Sequence, residues 1–302
     1  MCGIVGLLMK NPDLRPQLGV LMVPMLIGMS ERGPDSAGLA VFTRSLPVGH
    51  SKLSVFAGFD PEGTTYDWME LAAALGEALN DKVQAHATGQ HCILSFGGDT
   101  QVVKDWLQAF APTLHVLSTG QHIDLYKDVG TPAEVSERYG FAQLQGSHLV
   151  GHTRMATESA VTPDRAHPFT AGRDFCLVHN GSLSNNFAVR RTLESEGIAF
   201  ETDNDTEAAC RFLEWRMREG DTLETALHKS LNVLDGFFTF LMGTADKMAL
   251  MRDPFACKPA VVAETDDWVA VASEFRSLAQ LPGIDHAHVF EPKPKEIYVW
   301  QT

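Results

Sequence analysis

The chain opens MCGIVGLL, residues 1–8. From Cys2 to Leu8 it is a short apolar run punctuated by Gly3 and Gly6, the pattern of a buried strand that another backbone or a ligand can approach closely. Position 2 is therefore expected at the edge of a core. Cysteine directly after the initiator methionine has a chemical meaning, because Met1 is readily trimmed before a small residue. The new α-amine then lies on the same residue as the thiol. Such an amine, with a pKa of about 7.7 to 8.0, can take the thiol proton and later return it to a leaving amine. By itself the position favours an ordinary buried cysteine near a terminus, so the rest of the chain has to decide.

Composition narrows the classes. The 302 residues are 44% hydrophobic and 21% charged, with a formal charge of -14, as in an ordinary globular protein with one large core or two modest ones. No basic stretch offers phosphates a surface, which argues against nucleic acid and against an anionic membrane. The longest apolar run, Leu18 to Met29, contains Pro24 and is too short for a bilayer that needs about 20 residues. No basic segment precedes the first apolar residues and no small-residue cleavage site follows them, so no signal peptide is read and a cytoplasmic location is expected. Cys2, Cys92, Cys176, Cys210 and Cys257 are odd in number and widely spread. Neither disulfides nor a metal site is expected, and the last four read as buried small apolar residues.

Along the chain, residues 14 to 30 carry apolar positions at helical spacing and run into ERGPDSAG, a turn signal, before strand-like Gly38 to Phe42. From about 60 to 127 the pattern alternates: helices at Asp67–Asn80 and Val102–Phe110, strands at His91–Phe96, Leu114–Leu117 and Ile123–Tyr126. This stretch reads as a small α/β insert. Strands then come at Ser147–His152, Phe175–His179, Gly236–Gly243, Met248–Arg252, Ala260–Ala263 and Trp268–Ser273. Helices at Asn185–Glu196, Thr206–Arg218 and Thr222–Leu234 interrupt them. Runs of strands with helices grouped between them predict an α+β layered domain rather than a doubly wound parallel sheet.

Four motifs carry candidate chemistry. In GHTRMAT, Arg154 ends a strand, where its guanidinium fork suits a carboxylate. In HNGSLSN, Asn180 and Gly181 follow an apolar strand and offer a side-chain amide and an unhindered backbone N–H to an oxyanion, or else form a polar turn. In TDNDTE, Asp203 or Asp205 caps the next helix, receives a substrate ammonium, or does both. In ERGPDSAG, Arg32 and Asp35 form a structural pair or touch substrate.

MCGIVG, RGPDSAG, GHTRMAT, HNGSLSN, DNDTE and RDPFACKPAVV followed by VAVASE stand in the order found in class II glutamine amidotransferases, which the chain resembles over nearly its whole length. The late RDP and ASE elements look more like the glutamate-synthase and amidophosphoribosyltransferase branches. The resemblance implies a four-layer αββα N-terminal-nucleophile sandwich across 2–302, with the insert at about 60–127. It also implies Cys2 as nucleophile, Asn180 and Gly181 as oxyanion hole, Arg154 as clamp for the glutamine α-carboxylate and Asp205 as partner of its α-ammonium. Arg32, Thr157 and His167 match pocket residues.

The chain departs from the family at Met155, where tryptophan is frequent, and at Glu158 and Ser159, which replace His-Gly. No synthase segment is present, so an ammonia-accepting synthase subunit is expected, as in a glutamate-synthase-like complex such as N-methylglutamate synthase. FMN and an iron–sulfur cluster would sit on that partner, because this chain has neither the cysteine spacing nor a dinucleotide fingerprint. Two alternatives stay open: hydrolysis of another amide, and a non-catalytic glutamine-sensing subunit.

Overall fold

The computed structural model describes residues 2–58, 66–155 and 162–302. The chain begins with β1 (Gly3–Met9), a 3-10 stretch (Pro12–Gln17), α1 (Leu18–Ile27), β2 (Ser36–Phe42) and β3 (His50–Phe56). It continues through α2 (Trp68–Leu79), β4 (Gln84–Thr88), β5 (His91–Gly97), α3 (Thr100–Phe110), β6 (His115–Gly120), β7 (Ile123–Val129), α4 (Pro132–Arg138) and β8 (His148–Arg154). Then come β9 (Phe169–Thr170), β10 (Cys176–Leu183), α5 (Asn186–Ser195), α6 (Asp205–Arg218) and α7 (Leu223–Val233). The last strands are β11 (Gly236–Gly243), β12 (Lys247–Arg252), β13 (Val261–Glu264), β14 (Trp268–Ala272), β15 (His288–Phe290) and β16 (Ile297–Gln301).

These strands form a seven-stranded sheet ordered β15-β13-β14-β1-β8-β2-β7, a five-stranded sheet ordered β16-β12-β11-β10-β9 and a four-stranded sheet ordered β4-β5-β3-β6. Strand pairings among the described residues are antiparallel. The fold is thus a mixed helix-and-sheet one, as the grouping of strands predicts.

Strand β1 explains the layering. All seven of its residues are buried, so it cannot show the in-out alternation of a half-exposed strand. Val5, Leu7 and Met9 face a core with Leu18, Met22 and Leu26 of α1 and Val135 of α4. Ile4 and Leu8 on its other face meet Val178 of β10, Leu241 of β11 and Leu250 of β12 across the gap between the two larger sheets. Gly6 permits that approach, since a Cβ there would stand 2.8 Å from a Leu241 methyl. The outer face of the five-stranded sheet, with Leu177, Phe240 and Met251, packs on Val189, Leu193, Phe212 and Leu227 of α5, α6 and α7. The four-stranded sheet makes its own core, in which Leu53, Val55, Leu94 and Phe96 pack on Trp68, Leu71, Val103 and Leu107.

Several boundaries differ from the expectation. The four-stranded unit begins at β3, residue 50, because HSKLSVF alternates polar and apolar residues and pairs with β5. The Ile123 strand does not join that unit but forms the edge of the seven-stranded sheet against β2. Residues 14 to 30 are not one helix, since Pro16 holds the start in a 3-10 turn. The capping box of α4, Thr131 with Glu134, and the strand text of β16 went unread. Cys92, Cys176 and Cys210 are buried, but Cys257 is exposed because it lies in the loop that follows the Arg252–Asp253 turn.

Burial has a thermodynamic consequence. It is the leading cause that pulls the imidazoles of His91, His148 and His152 down to about 3. The native state holds them neutral while the unfolded chain protonates them near 6.5, so between those values the unfolded state binds more protons. Their contribution is complete above pH 6.5 and is lost as pH falls toward 3. The melting temperature at constant ionic strength is expected to drop steadily from pH 7 to pH 5, and a flat profile over that range would contradict the burial argument.

Candidate active site

Cys2 is half-buried and stands one residue before β1, where Gly3 pairs with Thr153 of β8. Its position is fixed from two sides. Ile4 N–H donates to Ser273 Oγ at 3.0 Å and Ser273 N–H returns a bond to the Ile4 carbonyl. Arg32 Nε donates to the Cys2 carbonyl at 3.0 Å, and Arg32 Nη1 meets Glu274 Oε1 at 2.8 Å. The RGPDSAG arginine and the ASE element therefore meet behind the cysteine. Arg32 is not among the residues lining the cavity described next; it holds the main chain of Cys2 instead.

That cavity, about 450 Å³, is lined by Cys2, Arg154, His167, Gly181 and Asp205, together with Met155, Arg165, Phe187 and Asp203. The volume suits a small molecule. Arg154, the last residue of β8, is buried; its carbonyl accepts from Asp35 N–H at 3.0 Å and its Nη1 lies 3.5 Å from the Arg165 carbonyl. The RGPDSAG turn thus braces the end of β8 as well as the cysteine. Arg165 pairs with Asp203 at 3.0 Å on the rim.

Asn180 and Gly181 do not sit in a turn. Strand β10 continues through them to Leu183, paired with β11 as Asn180↔Thr239 and Gly181↔Phe238, because the main-chain ladder overrides the turn propensity of Asn-Gly. On the opposite edge β9 covers only Cys176 and Leu177. Beyond that point the edge is open: the His179 carbonyl accepts from His152 Nε2 at 3.1 Å and Leu183 N–H donates to Asp205 Oδ2 at 2.9 Å. Alternation along a strand puts the Gly181 N–H on this same edge, toward the cavity. Gly181 has φ +144°, and a Cβ there would stand 1.9 Å from the Phe237 carbonyl, so no other residue fits. Asn180 is buried, and its Nδ2 has no hydrogen-bond partner among the described residues. An orphaned buried amide beside an open N–H is a donor pair awaiting an acceptor.

The acidic turn is held tightly. The N-cap of α6 is Asn204, whose side chain accepts from Thr206 N–H, rather than Asp203 or Asp205. Glu207 accepts from the N–H groups of Glu201 and Thr202, and Arg190 donates to the carbonyls of Thr202 and Asn204. Asp205 is the first residue of α6, where the helix dipole favours negative charge. Burial, the largest influence on Asp205, opposes ionisation. His179, the Leu183 N–H and Thr206 together outweigh it and hold the carboxyl below its usual range.

His167 lines the cavity, and its Nε2 lies 2.8 Å from Thr206 Oγ1. Thr157, Glu158 and Ser159 lie outside the described residues. His152, His179, Thr206, Ser273, Glu274 and Arg165 were not named from the sequence, although all but Arg165 lie inside the motifs GHTRMAT, HNGSLSN, DNDTE and VAVASE. Among the described residues no group of three or more His, Cys, Asp or Glu side chains is placed to hold a metal. No helix of the described residues is long and apolar enough to cross a membrane.

On a mixed α/β fold, a cysteine, an arginine and a carboxylate line one cavity of small-molecule size. The glutamine amidotransferase domain family matches residues 152–280. The chain is 47% identical over 302 residues to the glutamine amidotransferase-like protein GlxB of Rhizobium meliloti, covering 99% of this chain and 98% of that one. It is 32% identical over 172 residues to the amidophosphoribosyltransferase of Archaeoglobus fulgidus, covering 56% of this chain and 37% of the relative. In fold it is similar to the glutamine phosphoribosylpyrophosphate amidotransferase of B. subtilis, solved with ADP and GMP, with a TM-score of 0.62 at 19% identity. That match covers 99% of this chain and 47% of the solved one. The chain belongs to the class II glutamine amidotransferases, and it is an enzyme of that type.

Proposed function

We propose that the chain performs the glutaminase half-reaction on L-glutamine with Cys2 as nucleophile. The α-amine of Cys2, bared by removal of Met1, takes the thiol proton, and the thiolate attacks the side-chain amide carbon. The Asn180 side-chain amide and the Gly181 N–H stabilise the tetrahedral oxyanion. Collapse breaks the C–N bond, the α-ammonium returns a proton to the departing nitrogen, and ammonia leaves a γ-glutamyl thioester. Water then attacks the thioester, giving glutamate and the free thiol.

Arg154 grips the α-carboxylate and Asp205 the α-ammonium. Thr157, outside the described residues, matches a substrate-pocket threonine by its place in the motif. The single observation that carries the reading is the cavity in which Cys2, Gly181, Arg154 and Asp205 meet: opposite charges near a thiol suit a free amino acid better than an apolar acyl chain. The packing of α1 and α4, the two large sheets, and α5 to α7 is read as the four-layer αββα sandwich of N-terminal-nucleophile enzymes. The four-stranded unit is an insert on it. Ammonia passes to a separate synthase-type subunit, as in a glutamate-synthase-like complex such as N-methylglutamate synthase, with any FMN and iron–sulfur cluster on that subunit.

Ammonia release from L-glutamine, set against a panel of acylated amines, tests the reading together with the intact mass of the mature chain. Glutamine should be the preferred amide and Met1 should be absent. Retained Met1 in an active protein would remove the α-amine from the mechanism.

A further inference from the structure

In the wall of the cavity, His167, His179 and the Thr206 hydroxyl, with His152 stacked on His167, form a buried cluster that the half-reaction does not use. Thr206 Oγ1 lies 2.8 Å from His167 Nε2, 3.1 Å from His179 Nδ1 and 3.4 Å from Asp205 Oδ1. A hydroxyl has one proton to give and two lone pairs to receive with. The ionised carboxylate can only accept, so the threonine O–H donates to it and both imidazoles donate to the hydroxyl oxygen. That choice leaves His167 Nδ1 and His179 Nε2 as bare acceptors, and these are the two ring atoms buried without a partner among the described residues. The opposite tautomers would bury two N–H donors unpaired, and the one threonine O–H could serve only one of the two bare ring nitrogens facing it, which costs more.

We propose that the Thr206 hydroxyl is a positioning residue for glutamine, fixing the Asp205 carboxylate relative to the carboxylate clamp and the oxyanion strand. This rests on the reading of Asp205 as the ammonium partner. Its oxygens are held from behind, Oδ1 by the Thr206 hydroxyl at 3.4 Å with His179 Nδ1 at 3.5 Å, and Oδ2 by the Leu183 N–H. His179 ties the same hydroxyl to the residue before Asn180. His167 stacks on His152 at 4.1 Å between centroids, and His152 stands two residues before Arg154 in β8. Sheet ladders set the places of Arg154 and Asn180 by themselves. Helix α6 has no such ladder: the Leu183 N–H ties its first residue to β10, and the Thr206 hydroxyl adds the links to His179 of β10 and, through His167 and His152, to β8.

The test compares L-glutamine with 4-carbamoylbutanoate, which lacks only the α-ammonium. Thr206→Val should raise the glutamine KM about tenfold or more with kcat held within about threefold. Its kcat/KM for 4-carbamoylbutanoate should stay at the wild-type value, and Thr206→Ser should behave as wild type; Thr206→Ala serves as a second hydroxyl-free variant should the valine protein fail to fold. An equal loss with both substrates, or none with glutamine, would overturn the proposal.

Calorimetric titration of glutamine into Cys2→Ala, with and without Thr206→Val, separates the two readings. A Thr206-dependent affinity in a protein whose Cys2 form releases no ammonia would keep the network and remove the catalytic reading. No glutamine binding to Cys2→Ala would remove both.

Discussion

Cys2→Ala is expected to lower ammonia release from L-glutamine by about 10⁴-fold or more, because among the described residues Cys2 is the thiol that lines the cavity and carries the acyl intermediate. His167 and His179 line the cavity, but both are engaged with Thr206, and burial drives the His167 imidazole well below its usual range, as the nearby His152 ring does further. Neither is a substitute nucleophile. Cys92 and Cys176 are buried thiols pushed up to about 12, chiefly by burial, and they lie away from the cavity.

The change should leave the fold intact. The bonds that fix position 2 run through the Cys2 carbonyl to Arg32 and through the Ile4 main chain to Ser273, and alanine keeps all of them. The decisive measurements are ammonia release, the melting temperature, and covalent labelling by a glutamine-analogue electrophile. Wild type should label once and the variant not at all. A variant that retains activity would end the assignment of Cys2.

Arg154→Lys should raise the glutamine KM by about 30-fold, roughly 2 kcal/mol of binding, with a smaller change in kcat. The charge is conserved, so a site that needed only a positive potential would scarcely notice. A carboxylate held in a planar fork would lose one of two parallel hydrogen bonds and its fixed orientation. The guanidinium is buried at the end of β8, and a shorter, compact ammonium cannot reach the same two oxygens from that backbone. The main-chain bond from Asp35 N–H to the Arg154 carbonyl does not depend on the side chain, so stability should hold. Steady-state kinetics on glutamine decide it, and an unchanged KM would move the carboxylate elsewhere in the cavity.

Much of the site was legible because its chemistry is written in short motifs. Cys2, Arg154, Asn180 and Gly181 were each singled out from local text, and Asp205 was chosen over Asp203 only by the family resemblance; four of these five line one cavity, with Asn180 buried beside it. The helices were readable where capping and period agree: Asp67 caps α2, and Thr222 caps α7. Misreadings cluster where a non-local partner overrides a local signal. Asn-Gly spells a turn, yet residues 180 and 181 are held in a strand by Thr239 and Phe238. The Ile123 strand follows the insert in sequence but is captured by β2.

The sequence by itself determined the reactive groups, the strand that carries Cys2 to the edge of a core, and the family those motifs define. Residue type and short-range period encode side-chain chemistry and burial, and both act within a few turns of chain. Only the tertiary structure decided that Arg32 serves the Cys2 carbonyl, that Glu274, 242 residues away, holds Arg32, and that Thr206 joins Asp205 to two histidines. Those contacts depend on how sheets and helices close on one another, and no local pattern records which distant residue will arrive.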